Sequence, residues 1–144
     1  EATVNDAIQA VKWAKEPGIK VWGYFMLGLF GDTKETMAAT IRLARTLPLD
    51  IANFAISAPY PGTEWGRIAQ ENHWLSDERW DSYDQNYSAI VDQPGASHLD
   101  VLAAQRTAYL KWYGSWRGLK FLMQAWRPRY ARFFWRVARA HLGI

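Results

Sequence analysis

Two short stretches hold the residues best suited to chemistry. Gly28-Leu29-Phe30-Gly31-Asp32-Thr33 follows one apolar run, and Pro59-Tyr60-Pro61-Gly62-Thr63 follows a second. Glycines at a strand end let the backbone approach a ligand closely and take positive φ without a Cβ clash. The C-terminal edge of a parallel sheet is where α/β barrels build their sites. A tight strand-to-helix turn accounts for the same glycines with no ligand, and a proline-pinned loop ahead of a helix accounts equally well for the second stretch. Both readings stay open at this level.

Other constellations are thin. The chain has no cysteine, which removes disulfides, thiolate metal sites and a cysteine nucleophile from its repertoire. His73, His98 and His141 stand far apart and outside any ligand spacing, so they read as surface or structural residues rather than a metal site. Ser57 and Ser88 lack an elbow or a partner histidine, and Asp81 and Asp84 lack a spacing that separates an acid from a base. No GxxxxGK phosphate loop occurs. The candidate chemistry is therefore binding at strand ends, with no catalytic group assigned.

The elements that must position those strand ends follow from periodicity. Val4, Ala7, Ile8, Val11 and Ala14 recur at helical spacing behind Thr3 or Asn5, and Glu16-Pro17-Gly18 stops the pattern. Ile19 to Leu29 is apolar on both alternating faces, the signature of a strand buried in a parallel sheet. Asp32 and Glu35 form a candidate capping box for a helix whose stripe is Met37, Ile41, Ala44 and Leu47. A second strand is expected over Ile51 to Ala58, giving a βαβ unit, and Thr63 should cap a helix from Glu64 to Asn72. A long polar and aromatic loop follows, then a helix from about Ser97 or Leu99 to Ala125, weakened at Gly114 and Gly118. A last helix is expected over about Arg129 to Leu142.

In this order and spacing, Gly23 to Glu35 and Pro59 to Glu64 resemble the late barrel strands of radical S-adenosylmethionine enzymes, in particular the branch that often carries a cobalamin-binding domain. In that family the first strand commonly ends G-[LF]-P-G-E-T. Here Phe30 stands where proline is usual and Asp32 where glutamate is usual, and both keep turn and cap chemistry. The resemblance extends more loosely through Trp80-Asp81-Ser82-Tyr83-Asp84 and covers residues 1–125. It implies an α/β fold, an incomplete parallel (βα) barrel segment followed by a helical extension, with the division at residues 1–96 and 97–144. It also implies a cofactor wall. Met26 would be the apolar contact to the adenine of S-adenosylmethionine, Gly28 the close-approach residue, and the backbone of Ala58, Pro59 and Tyr60 the adenine-edge hydrogen-bonding segment. The family reduces S-adenosylmethionine at a 4Fe-4S cluster held by three cysteines, usually CxxxCxxC. Those ligands, and any cobalamin domain, would lie outside this chain, so the isolated chain is expected to be inactive while its parent modifies an unactivated carbon by methylation, cyclisation or a similar step.

Charge divides the chain unevenly. Residues 1–100 carry a net −6, whereas residues 101–144 carry nine Lys/Arg and no acid. Arg129, Arg132, Arg136 and Arg139 share one face of the expected last helix, with aromatics on the rest. This segment either packs on the barrel with its arginines in water, or lies on an anionic membrane, or grips nucleic acid, the least favoured of the three because the body of the chain has no basic stripe. The membrane reading suits a small-molecule substrate of lipid, isoprenoid or tetrapyrrole type. The alternative of a different class is a non-catalytic α/β module that binds a partner or membrane through its basic tail. The longest apolar run, Val21 to Gly31, is too short to span a bilayer. No basic-then-apolar leader pattern opens the sequence, which makes a cytoplasmic location the expectation; packing on the barrel is the commoner reading of the basic tail, and peripheral membrane contact through residues 127–144 stays open beside it.

Overall fold

The structure, a computed structural model, describes residues 3–125. Helix α1 (Val4–Lys15) leads to strand β1 (Trp22–Leu27), helix α2 (Lys34–Thr46), strand β2 (Ile51–Ile56) and helix α3 (Glu64–Glu71). A single 3-10 turn (Trp80–Ser82) interrupts the long loop, and α4 (His98–Tyr113) and α5 (Trp116–Ala125) follow. The fold is mixed α/β. The expected last helix over 129–142 falls outside the described residues.

β1 and β2 pair in parallel from Trp22 opposite Ile51 to Leu27 opposite Ile56. Because side chains alternate along a strand, Phe25, Leu27, Ala52, Phe54 and Ile56 share one face. Helices α2 and α4 pack against it with Met37, Ile41, Ala44, Val101, Ala108 and Trp112. The opposite face carries Trp22, Tyr24 and Met26, which are 57%, 67% and 40% exposed. Expectation and structure part here: β1 reads as buried on both faces, yet only one face is covered among the described residues.

Local signals set the helix starts. Thr3 and Asp6 form a reciprocal capping box for α1, Ser97 and Asp100 do the same for α4, and the Thr63 hydroxyl accepts the Gly66 N–H at the start of α3. α2 differs from expectation by one residue. Its cap is Thr33 paired with Thr36, which frees Asp32 to accept the Leu29 N–H at 3.0 Å and the Thr36 hydroxyl at 2.7 Å. The expected long C-terminal helix breaks at Gly114-Ser115 into α4 and α5.

At the N-terminal ends of the strands, Asp50 accepts from Lys15 Nζ at 2.7 Å, Val21 N–H at 2.8 Å and Lys20 Nζ at 3.3 Å. Burial pushes the Asp50 carboxyl up, but these three donors outweigh it and hold the group at about 2. Asp50 thereby fastens α1 and the entry of β1 to the entry of β2.

Candidate functional site at the C-terminal strand ends

Both strands deliver their ends to one side of the sheet. The register sets Met26 beside Ala55, and the ladder continues with Ser57 N–H donating to Leu27 C=O at 2.8 Å. Gly28 and the Ala58-Pro59-Tyr60 segment are thus neighbours, as a parallel βαβ unit requires.

Gly28 has φ +75°, a left-handed conformation that disfavours any side chain with a Cβ. A Cβ there would also meet Val101 of α4 at 3.0 Å. The glycine therefore has two packing reasons of its own, and it leaves its backbone rather than a side-chain direction as the route to a ligand. Met26 lies on the uncovered face. Pro59 is fully buried. Tyr60 turns towards the long loop, where its hydroxyl donates to Tyr83 C=O at 3.1 Å and its ring lies 5.9 Å from that of Tyr83.

Backbone groups at the second strand end divide into engaged and available. Tyr60 N–H donates to Ala58 C=O at 3.0 Å, and Tyr60 C=O accepts from the Thr63 hydroxyl at 2.7 Å. α3 lies so close that a Cβ on Gly66 would collide with Tyr60 C=O. The Ala58 N–H has no partner among the described residues. Within 26–33 and 56–63, Asp32 is the only Asp, Glu, Lys, Arg or His, and its carboxylate is already engaged. The strand ends present apolar surface, a free amide and one carboxylate held by neutral donors, an arrangement that accepts a neutral planar edge better than a phosphate.

Two positioning features escape a reading of the sequence. Gln93, almost fully buried, donates from Nε2 to Leu29 C=O at 2.7 Å and accepts the Gly31 N–H on Oε1 at 2.9 Å. Its side-chain amide clamps both limbs of the Gly28–Gly31 turn from a residue more than sixty positions away. Its only local sign is the Gln93-Pro94-Gly95 turn. Beside it, Phe30, Trp65 and Trp74 gather, with ring centroids 5.4 Å apart for Phe30–Trp65 and 6.4 Å for each of the other two pairs. Phe30 is 58% exposed, and the indole N–H of Trp65 is out of solvent without an acceptor.

Metal-binding groups are not gathered here: among the described residues no three His, Asp or Glu side chains cluster as a metal site would require. Nor is any described helix long and apolar enough to cross a membrane.

Comparison with curated proteins finds similarity to a methyltransferase and to a cyclase. It is 40% identical over 111 residues to an uncharacterized methyltransferase of Pyrococcus horikoshii, covering 77% of this chain and 24% of that protein. It is 31% identical over 131 residues to the anaerobic magnesium-protoporphyrin IX monomethyl ester cyclase of Cereibacter sphaeroides, covering 84% of this chain and 20% of the cyclase. The same cyclase of Rubrivivax gelatinosus is 34% identical over 61 residues, 42% of this chain and 11% of the cyclase. The chain thus spans about a quarter or less of the length of the relatives it matches. No family model matches the chain.

Proposed function

We propose that this chain is the late, C-terminal part of the barrel of a radical S-adenosylmethionine enzyme and supplies the adenine-side wall of its cofactor site. The single observation that carries this reading is the contrast between the sheet's two edges. β2's outer edge is closed by α4 and the long loop, whereas β1's outer edge and its Trp22-Tyr24-Met26 face are open among the described residues. An apolar strand with one bare face and one bare edge is what remains when the preceding strands of a larger parallel sheet are not present.

The strand ends fit an adenine. Met26 offers an apolar surface, the unpartnered Ala58 N–H a donor to a ring nitrogen, and Gly28 with Pro59 and Tyr60 a backbone wall stiffened by the Gln93 clamp and the Thr63 cap. The cluster does not fit this chain, which has no cysteine, so its ligands belong to a preceding segment of the parent protein, as does any cobalamin domain. S-adenosylmethionine bound at a 4Fe-4S cluster supplies the radical chemistry that modifies an unactivated carbon. The isolated chain, in this reading, is inactive. The Phe30-Trp65-Trp74 ledge suits a flat or greasy small molecule, and the cyclase relatives, named for a magnesium porphyrin, favour a tetrapyrrole among the lipid, isoprenoid and tetrapyrrole classes.

The test uses the full-length parent, anaerobically reconstituted, with Met26→Lys. Cluster content by iron analysis should match wild type, while affinity for S-adenosylmethionine should fall about tenfold or more, the cost of an unpaired charge against an apolar ring. Unchanged affinity would remove Met26 from the cofactor wall. A coding sequence without an upstream cysteine triplet would remove the family reading altogether.

A further inference from the structure

α5 has two unlike faces. Gly118 is buried and its N–H approaches the Ser115 hydroxyl at 3.4 Å, while the Phe121 ring lies 6.1 Å from that of Tyr113 on α4. That side is packed. Trp116, Leu119, Lys120 and Met123 follow the i, i+3, i+4, i+7 rule and form the opposite side. Trp116 is 76% exposed, Met123 70% and Leu119 45%. An apolar stripe of this size at helical spacing departs from the usual pattern, in which a surface helix turns its apolar residues to the core.

Cations lie on α5 itself and on the two helices next to it. The Arg117 guanidinium donates to Leu47 C=O at 2.7 Å and to Arg45 C=O at 3.2 Å, which holds the first turn of α5 at the C-terminal end of α2. Between α2 and α4 runs a groove of about 450 Å³, with Met37 and Ile41 among its apolar lining and Arg42, Arg45 and Lys111 on its walls. Its one acidic side chain, Asp100, is taken by Lys34 at 2.9 Å. No ion pair involves Arg42, Arg45 or Lys111 among the described residues.

We propose that this corner of the molecule seats on an anionic lipid bilayer. Trp116, Leu119 and Met123 enter the boundary between headgroups and acyl chains, and Lys111, Lys120, Arg42 and Arg45 face lipid phosphates. Aromatic and aliphatic side chains flanked by Lys and Arg are the composition of helices that lie in that interface. Charge selects this occupant over the others. A second copy would bring one acid-free basic segment against another, and residues 126–144 add five more arginines and no acid to the same sign. Nucleic acid would satisfy the cations but offers no hydrocarbon for Leu119 and Met123.

Full-length chain is incubated with phosphatidylserine-containing and with purely zwitterionic vesicles and sedimented. Wild type should partition on to the anionic vesicles only, and high salt should weaken it by about tenfold or more. The double variant Trp116→Glu/Met123→Glu should lose about tenfold or more, with an unchanged thermal midpoint because both side chains stand in solvent. Arg42→Glu/Lys111→Glu should weaken binding independently, and deletion of residues 127–144 should leave the effect of Trp116→Glu/Met123→Glu in place. Vesicle binding by the double variant equal to wild type overturns the proposal. So does a lowered thermal midpoint in that variant, which would mean that the chain itself covers the stripe, or a dimer in sedimentation velocity that the variant abolishes, which would mean that a second copy does.

Discussion

The two edges of the β1–β2 sheet are treated in opposite ways. Along β2, the outward backbone groups from the Ala52 C=O to the Ile56 N–H each meet a partner: Tyr113 hydroxyl donates to Ala52 C=O at 3.1 Å, Phe54 N–H donates to Tyr109 hydroxyl at 3.3 Å, Gln105 Nε2 donates to Phe54 C=O at 2.8 Å, and Ile56 N–H donates to Gln85 C=O at 2.7 Å. Gln105, Tyr109 and Tyr113 are i, i+4 and i+8 on α4, so one helical row replaces a third strand. Burial pushes the Tyr113 hydroxyl up to about 12, which keeps it a neutral donor at physiological pH. Along β1, no strand or side-chain row meets the outward groups among the described residues. The α4 row protects the β2 edge from further pairing, whereas the β1 edge is the one on which the proposed preceding strands would add.

The largest expected effect comes from unsealing the closed edge. Gln105→Leu keeps the volume but leaves Phe54 C=O and Asn86 C=O without their donor. A buried acceptor left unpaired costs about 1–3 kcal/mol, and urea unfolding of the chain should show a loss in that range. A loss near zero would mean that water takes the place of Gln105 and that the β2 edge is open to solvent.

A smaller effect is expected at the clasp that fastens both strands at their entry. Asp50 sits at about 2 in the folded chain, below its unfolded value of about 3.9. Its contribution is therefore complete above pH 4 and is lost as pH falls through the folded value. Solvent at its partners, Lys15 at 28% and Lys20 at 80% side-chain exposure, reduces the gain to about 1 kcal/mol. Asp50→Asn should flatten the fall in stability between about pH 4 and pH 2, read from thermal midpoints across that window.

The smallest effect belongs to the open side. Tyr24→Thr should change stability of the isolated chain by no more than about 0.5 kcal/mol, as exposed substitutions do, although it removes the 5.3 Å stack on Trp22. In the full-length parent the same substitution should cost several times more if preceding strands cover this face. Equal effects in both contexts would break the contrast between the two edges.

How much of this was legible depended on the range of the interaction. Helix starts at Thr3, Thr63 and Ser97 are local, and so is the break near Gly114; all can be read from neighbours in sequence. The apolar run of β1 was also legible, but its pattern describes a strand covered on both faces, while the described residues cover one. Ile90 and Val91 are buried in what reads as a polar loop, because Leu75 and Val91 meet in a bridge that no local period announces. Gln93 and the Gln105-Tyr109-Tyr113 row were hidden for a related reason. Each acts on backbone more than fifty residues distant, and a glutamine or tyrosine on a helix shows its period but not its target.

That row also fixes an order of events during synthesis. β2 leaves the ribosome with its outer edge bare, and the α4 residues that close most of it follow only after 51 to 61 further positions. At ~5–20 residues per second, the strand waits on the order of 3–12 s as an unpaired template. Through that interval the nascent chain exposes a short apolar strand to any other strand nearby, so the stage most open to mispairing falls while α4 is still being made.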